Sequence, residues 1–149
     1  MTATGERFRL GGDEVTLRVT SAESGGDVLA MEVRMPAGGG PPALHTHDPA
    51  EIYRVERGEL AIYRADPDGG VERTVAGPGA VVHIPGGREH TVRNESDAEA
   101  AAFVTFVPGG PMEGFLRTAA ALGDAPMEEV LAVAARHGVA LTRPVPAPG

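Results

Sequence analysis

The chain has 149 residues, 42% of them hydrophobic, which is enough for one domain around one core. A formal net charge of −8 disfavours nucleic acid and anionic membrane surfaces as partners. The chain has no cysteine, which excludes disulfides, thiolate ligands and a thiol nucleophile; all 13 basic residues are arginine, which excludes a lysine Schiff base.

Short β-prone runs dominate the first two thirds. Arg7-Phe8-Arg9-Leu10 opens the series, and Val15, Leu17 and Val19 then alternate with polar neighbours, as do Leu29, Met31, Val33 and Met35. Glu51-Ile-Tyr-Arg-Val, Leu60-Ala-Ile-Tyr, Ala80-Val-Val-His-Ile and Ala102-Phe-Val-Thr-Phe-Val continue it. Between the runs lie turn clusters: Gly11-Gly12-Asp13, Ser24-Gly25-Gly26-Asp27, Asp66-Pro67-Asp68-Gly69-Gly70 and Pro85-Gly86-Gly87. Many short strands with such punctuation predict an all-β sandwich or barrel, and the 21 glycines follow from its corners.

After Val107 the period changes. Pro108-Gly-Gly-Pro111 ends the strands, and Met112, Phe115, Leu116 and Ala119 fall on one face of a helix expected over 112–122. Gly123-Asp124 breaks it, and Asp124 is placed to cap a second helix over 127–137 with Met127, Val130, Leu131 and Ala134 as its apolar stripe. His137 suits the C-terminal end of that helix, before Gly138. Arg143-Pro-Val-Pro-Ala-Pro-Gly149 is expected to be an extended, mobile tail. The expected organisation is a barrel over 1–109, helices packed on it over 110–139, and a tail over 140–149. No run approaches the roughly 18 apolar residues that span a bilayer. The start, Met1-Thr-Ala-Thr-Gly-Glu, lacks a basic region followed by an apolar stretch, so the expected location is the cytoplasm.

The chemistry is concentrated in two stretches, His45-Thr46-His47-Asp48-Pro49-Ala50-Glu51 and Pro85-Gly86-Gly87-Arg88-Glu89-His90. Side chains two apart on a strand share a face, so His45 and His47 can aim at one point. Glu51 keeps their parity if the chain stays extended or turns at Asp48-Pro49, and His90 would close the set from a neighbouring strand. Three imidazoles and a carboxylate suit a divalent ion: Fe, Mn, Ni, Co, Cu or Zn. A lone strand histidine is more often a satisfied polar group, so the frame around the four decides. Gly39 precedes His45 by six residues and Gly58 follows Glu51 by seven. Gly79, Pro85, Gly87, His90 and Asn94 then follow at offsets of six, two, three and four.

These ten positions match, without a departure, the two motifs G-x5-H-x-H-x3-E-x6-G and G-x5-P-x-G-x2-H-x3-N of the cupin superfamily. The chain resembles a small single-domain member of that superfamily, similar to quercetin-dioxygenase-like proteins. The resemblance implies an antiparallel jelly-roll barrel, a double-stranded β-helix, with two C-terminal α-helices. It also implies one divalent metal ion held by His45, His47, Glu51 and His90. The activity implied is that of a metal-dependent dioxygenase on a small enol- or phenol-containing compound such as a flavonol, with Glu51 as a catalytic proton acceptor as well as a ligand. A non-catalytic metal-dependent small-molecule binder and a cyclase or isomerase stay open, because fold and metal do not choose among them.

Three further residues are substrate-pocket candidates: Tyr53, which shares the parity of Glu51; Phe103; and His83, whose side of the strand the alternation leaves open. A homodimer is expected through the edge strands Arg7–Leu10 and Leu29–Met35, with Ile52 and Arg54 as possible contributors.

Overall fold

The computed structural model describes residues 5–41 and 43–146. Met1 to Thr4, Pro42, the end of the expected tail from Ala147 to Gly149, and the side chain of Met127, expected in the stripe of the second helix, lie outside the described residues. The strands are β1 (Arg7–Leu10), β2 (Asp13–Val19), β3 (Leu29–Met35), β4 (Ala43–Thr46), β5 (Ala50–Arg57) and β6 (Leu60–Ala65). They continue with β7 (Val71–Ala76), β8 (Val81–Ile84), β9 (His90–Arg93), β10 (Ala100–Val107) and β11 (Ala140–Pro144). Helices α1 (Gly110–Leu122) and α2 (Met127–Arg136) stand between β10 and β11. No helix among the described residues is long and apolar enough to cross a membrane.

The strands form two antiparallel sheets, ordered β1-β2-β3-β10-β5-β8 and β11-β4-β9-β6-β7. Period-2 alternation places the core between them: Leu17, Leu29, Val55, Ile62, Val92 and Val104 are all buried in one cluster. This is the jelly-roll arrangement, in which strands near in sequence are shared between sheets and the two halves of a site can meet inside.

Two glycines show why the loops need that residue. Gly58, between β5 and β6, has φ +76°, and a Cβ there would lie 2.9 Å from the Ala100 Cα. Gly86, before β9, would put a Cβ 2.1 Å from the Asp48 carbonyl oxygen, so only glycine lets that loop lie against the β4–β5 turn. Asn94, fully buried, has the same kind of structural role. Its amide donates to the Met35 and Ala98 carbonyls at 3.0 and 2.7 Å, while its oxygen accepts from the Ser96 N–H and hydroxyl.

Helix α1 buries Met112 and Leu116 and packs beside β1, β3 and α2. Glu113 ties it to the β2–β3 loop by accepting from the Ser21 N–H and hydroxyl at 2.8 and 2.9 Å. The second helix departs from expectation in two respects. Pro126 stands at its N-cap with no side-chain cap bond, so Asp124 does not cap it. Its buried face carries Val133 and Ala134, whereas Leu131 is exposed, because α2 meets the molecule along its last turn.

The expected tail is also corrected. Residues 140–144 form β11, which pairs antiparallel with β4 and adds an edge to the five-stranded sheet. Proline is tolerated at that position because an edge strand leaves one side of its backbone unpaired.

Candidate metal centre

His45 lies on β4, His47 just past its end, Glu51 on β5 and His90 at the start of β9. Their placement follows from register. His45 is the Cα partner of His90 across β4 and β9, so both rings project from one face. The chain turns through Asp48-Pro49 and enters the other sheet, where Glu51 faces inward beside Phe106. One ligand atom from each of the four residues lies within 4.8 Å of every other. The ring centroids of His45, His47 and His90 are separated by 4.5–5.7 Å, and the Phe106 ring stands edge-on to His47 at 5.8 Å.

Each imidazole is oriented by its own backbone. Nδ1 of His45 lies 3.1 Å from the Ala43 carbonyl, that of His47 2.9 Å from Pro49, and that of His90 2.7 Å from Arg88. A carbonyl offers only lone pairs, so each Nδ1 carries a proton and donates it. All three Nε2 lone pairs are thereby freed to converge, which is how metal-binding histidines are set. Yet Nε2 of His47 and His90 approach Glu51 Oε1 at 2.6 and 3.0 Å. Lone pairs facing a carboxylate at that range need a positive charge between them, from a second ring proton or a cation. The other carboxylate oxygen, Glu51 Oε2, is buried without a hydrogen-bond partner. A buried, partnerless carboxylate oxygen is costly, and a divalent ion among these four groups would satisfy it. The donor set therefore fits a metal.

Burial alone would push the Glu51 carboxyl up, but hydrogen bonds and charge from His47 and His90 hold it well below the usual carboxylate range. Burial lowers His45 to about 4, with the charge on His90 adding to the effect. Burial also opposes charge on His90, but its contact with Glu51 outweighs this and raises its pKa. An ionised Glu51 beside a neutral His45 suits a cation, which on binding would displace the proton that Glu51 favours on His90.

The pocket candidates divide. Tyr53 is buried next to Glu51, and burial followed by the Glu51 charge pushes its phenol well above the ordinary value. His83 and Phe103 are corrections. His83 pairs with Ile52 on the outer face of the six-stranded sheet and is exposed. Phe103 sits opposite Glu32 and Arg54 on that same outer face, while Val104 and Phe106 take the inward positions. Parity along β10 decides this: odd-numbered residues point out. Arg64 was not singled out from the sequence, yet on β6 it is the register partner of His90. Its parity with buried Leu60 and Ile62 was the available signal.

The family description "Cupin domain" matches residues 31–107. Among solved structures, an RmlC-like cupin from Shewanella frigidimarina has a TM-score of 0.56 at 19% identity, covering 70% of this chain and 85% of that one. A predicted oxalate decarboxylase from Thermotoga maritima has a TM-score of 0.59 at 19% identity, over 70% and 92%. An oxalate oxidase structure has a TM-score of 0.57 at 24% identity, over 92% and 78%. At these identities the likeness is one of fold. No curated protein matches the sequence.

Proposed function

We propose that this chain, which belongs to the cupin family, is a metal-dependent oxidoreductase of dioxygenase type acting on a small enol- or phenol-containing compound. The observation that carries the reading is the buried cluster of three oriented imidazoles around a carboxylate with one unsatisfied oxygen. His45, His47, Glu51 and His90 would hold one divalent ion. When bound, such an ion supplies Lewis-acid binding of an oxygen anion and, for Fe, Mn, Ni, Co or Cu, one-electron chemistry with dioxygen.

The chain's own residues do the rest. The carbonyls of Ala43, Pro49 and Arg88 keep the three rings in one tautomer, with each Nε2 free to face the ion. Glu51 is the one carboxylate among the four groups, and its Oε2, which neither imidazole engages, is the atom placed to accept the proton of an incoming enol or phenol. Phe106 and Tyr53 are buried on the interior side, and His45 is the one partly exposed member of the four, so its side is the one proposed for substrate entry.

A second reading, oxidation or decarboxylation of a small carboxylate, is supported by the likeness in fold to an oxalate oxidase and a predicted oxalate decarboxylase. The protein is further proposed to work as a homodimer. The test begins with metal analysis of the purified protein, followed by oxygen uptake against flavonols and simple enols, and against oxalate with carbon dioxide and peroxide assayed. Redox-active metal with enol-dependent oxygen uptake supports the first reading, and carbon dioxide release from oxalate supports the second. Metal-free protein that takes up none of the six ions would overturn both.

A further inference from the structure

Two buried side-chain atoms among the described residues have no hydrogen-bond partner, Glu51 Oε2 and Arg64 Nε. The metal centre accounts for the first. The second needs its own explanation.

Leu60, Ile62 and Arg64 are alternate residues of β6, and the first two are buried in the main core, so parity aims Arg64 into the barrel. Arg64 opposes His90 in the antiparallel register, and opposed side chains leave the same face with Cβ atoms about 4.5–5.5 Å apart. The His90 ring on that face reaches Glu51. The arginine stem therefore stands beside the metal centre.

Its guanidinium is only lightly engaged. Nη2 lies 3.2 Å from the Thr74 hydroxyl and 3.5 Å from Glu72 Oε1, a carboxylate whose side chain is 53% exposed. The nearby arginines are committed: Arg88 donates from Nε to the Ala65 carbonyl at 3.1 Å, and Arg143 grips both Glu89 oxygens at 2.9 Å. Arg64 thus leans its Nη2 toward β7, on the side of β6 away from His90, and keeps at Nε, closer to its stem, a desolvated N–H donor with no acceptor. Glu72 supplies a distant, half-exposed counter-charge, but a buried N–H without an acceptor is still costly, and the planar fork of a guanidinium fits a second carboxylate.

We propose that Arg64 binds an anionic oxygen group of the substrate, so that the substrate is a small molecule with two such groups, one placed at the metal and a carboxylate placed at Arg64. This rests on the proposed metal centre and narrows its substrate class to acidic compounds.

The test uses the full chain loaded with Co(II), whose visible spectrum reports ligands entering the metal. Acetate is titrated as the single-anion probe, and malonate, succinate and glutarate as two-anion probes of increasing reach. At least one dicarboxylate is expected to bind about tenfold tighter than acetate. Arg64→Gln should erase that advantage while leaving acetate binding and Co(II) affinity, read by chelator competition, unchanged. Equal binding of acetate and all three dicarboxylates by the unaltered protein would overturn the proposal. So would an advantage that survives Arg64→Gln, or an equal loss of acetate binding in that variant. Should the glutamine variant not fold, Arg64→Lys keeps the charge but lacks the fork, and an undiminished dicarboxylate advantage there is equally fatal. A chain that takes up no Co(II) removes the metal reading itself, and is told apart from these outcomes before any titration begins.

Discussion

Glu51 is held ionised in a buried site by the same two imidazoles whose Nε2 atoms it approaches at 2.6 and 3.0 Å. Its replacement by glutamine preserves shape but removes the charge that balances a cation. Glu51→Gln should weaken divalent-metal affinity by more than about a hundredfold, measured by chelator competition, with the fold intact by circular dichroism. A second buried carboxylate, Asp13, gives a prediction about pH. Burial raises its pKa from 3.8 to about 6, against the Gly40 N–H and the Arg93 charge, which lower it. The folded chain therefore binds more protons at Asp13 than the unfolded chain does between about pH 4 and pH 6. Its contribution is most favourable below pH 4, is lost as pH rises through that window, and leaves a constant penalty above it. Because the group is partly screened by solvent, the penalty is no more than about 1–2 kcal/mol. Asp13→Asn should reduce this fall in stability between pH 4 and 6, read from denaturant midpoints. An unchanged slope would remove Asp13 as its cause.

At the scale of elements, β4 is the strand whose position matters most, and it is weakly held on one side. Its pairing with β9 is the single position His45 to His90, whereas β11 pairs with it from Ala140 to Pro144. The C-terminal strand is in turn pinned by Arg143 to Glu89, next to His90, and by the Thr142 hydroxyl to the Leu44 carbonyl at 3.0 Å. Helices α1 and α2 lie between β10 and β11 in the chain, so their packing is expected to act on the proposed metal centre through β4 and His45. Arg143→Ala should loosen β11, raise amide exchange in 43–46, and weaken metal binding by about tenfold, as for other residues that orient ligands. Unchanged exchange in β4 with β11 released would show that β9 and the turn suffice to hold His45.

For the whole molecule, the open question is what covers the outer face of the six-stranded sheet. Its two edges are β1 and β8, and α1 flanks β1. The exposed large apolar residues Ile52 and Val81 lie toward the β8 side, with Phe103 half-buried nearby. Arg54, on the same outer face of β5, has Phe103 and Val81 as its register partners. A two-fold dimer through this half, burying at least about 1,000 Å², is the expected assembly, shifted from the N-terminal edge that the sequence suggested. Light scattering should give twice the chain mass, and Ile52→Arg should reduce it to one. A single-chain mass for the unaltered protein at micromolar concentration would defeat the expectation.

What the sequence determined by itself was whatever depends on neighbours along the chain. Alternation in Leu29 to Met35 and in Ala102 to Val107 marked strands, the glycine and proline offsets marked turns, and the spacing of His45, His47, Glu51, His90 and Asn94 marked the family and its candidate ligands. Alternation says that two sets of side chains part to opposite faces, but not which face is inside. For Phe103 and His83 that was decided only by the strands paired with β10 and β8. The same limit hid β11, whose prolines look like a tail until β4 supplies a partner, and Arg64, an ordinary surface residue until register puts it beside His90. Pairing joins residues far apart in sequence, and only the folded chain carries that information.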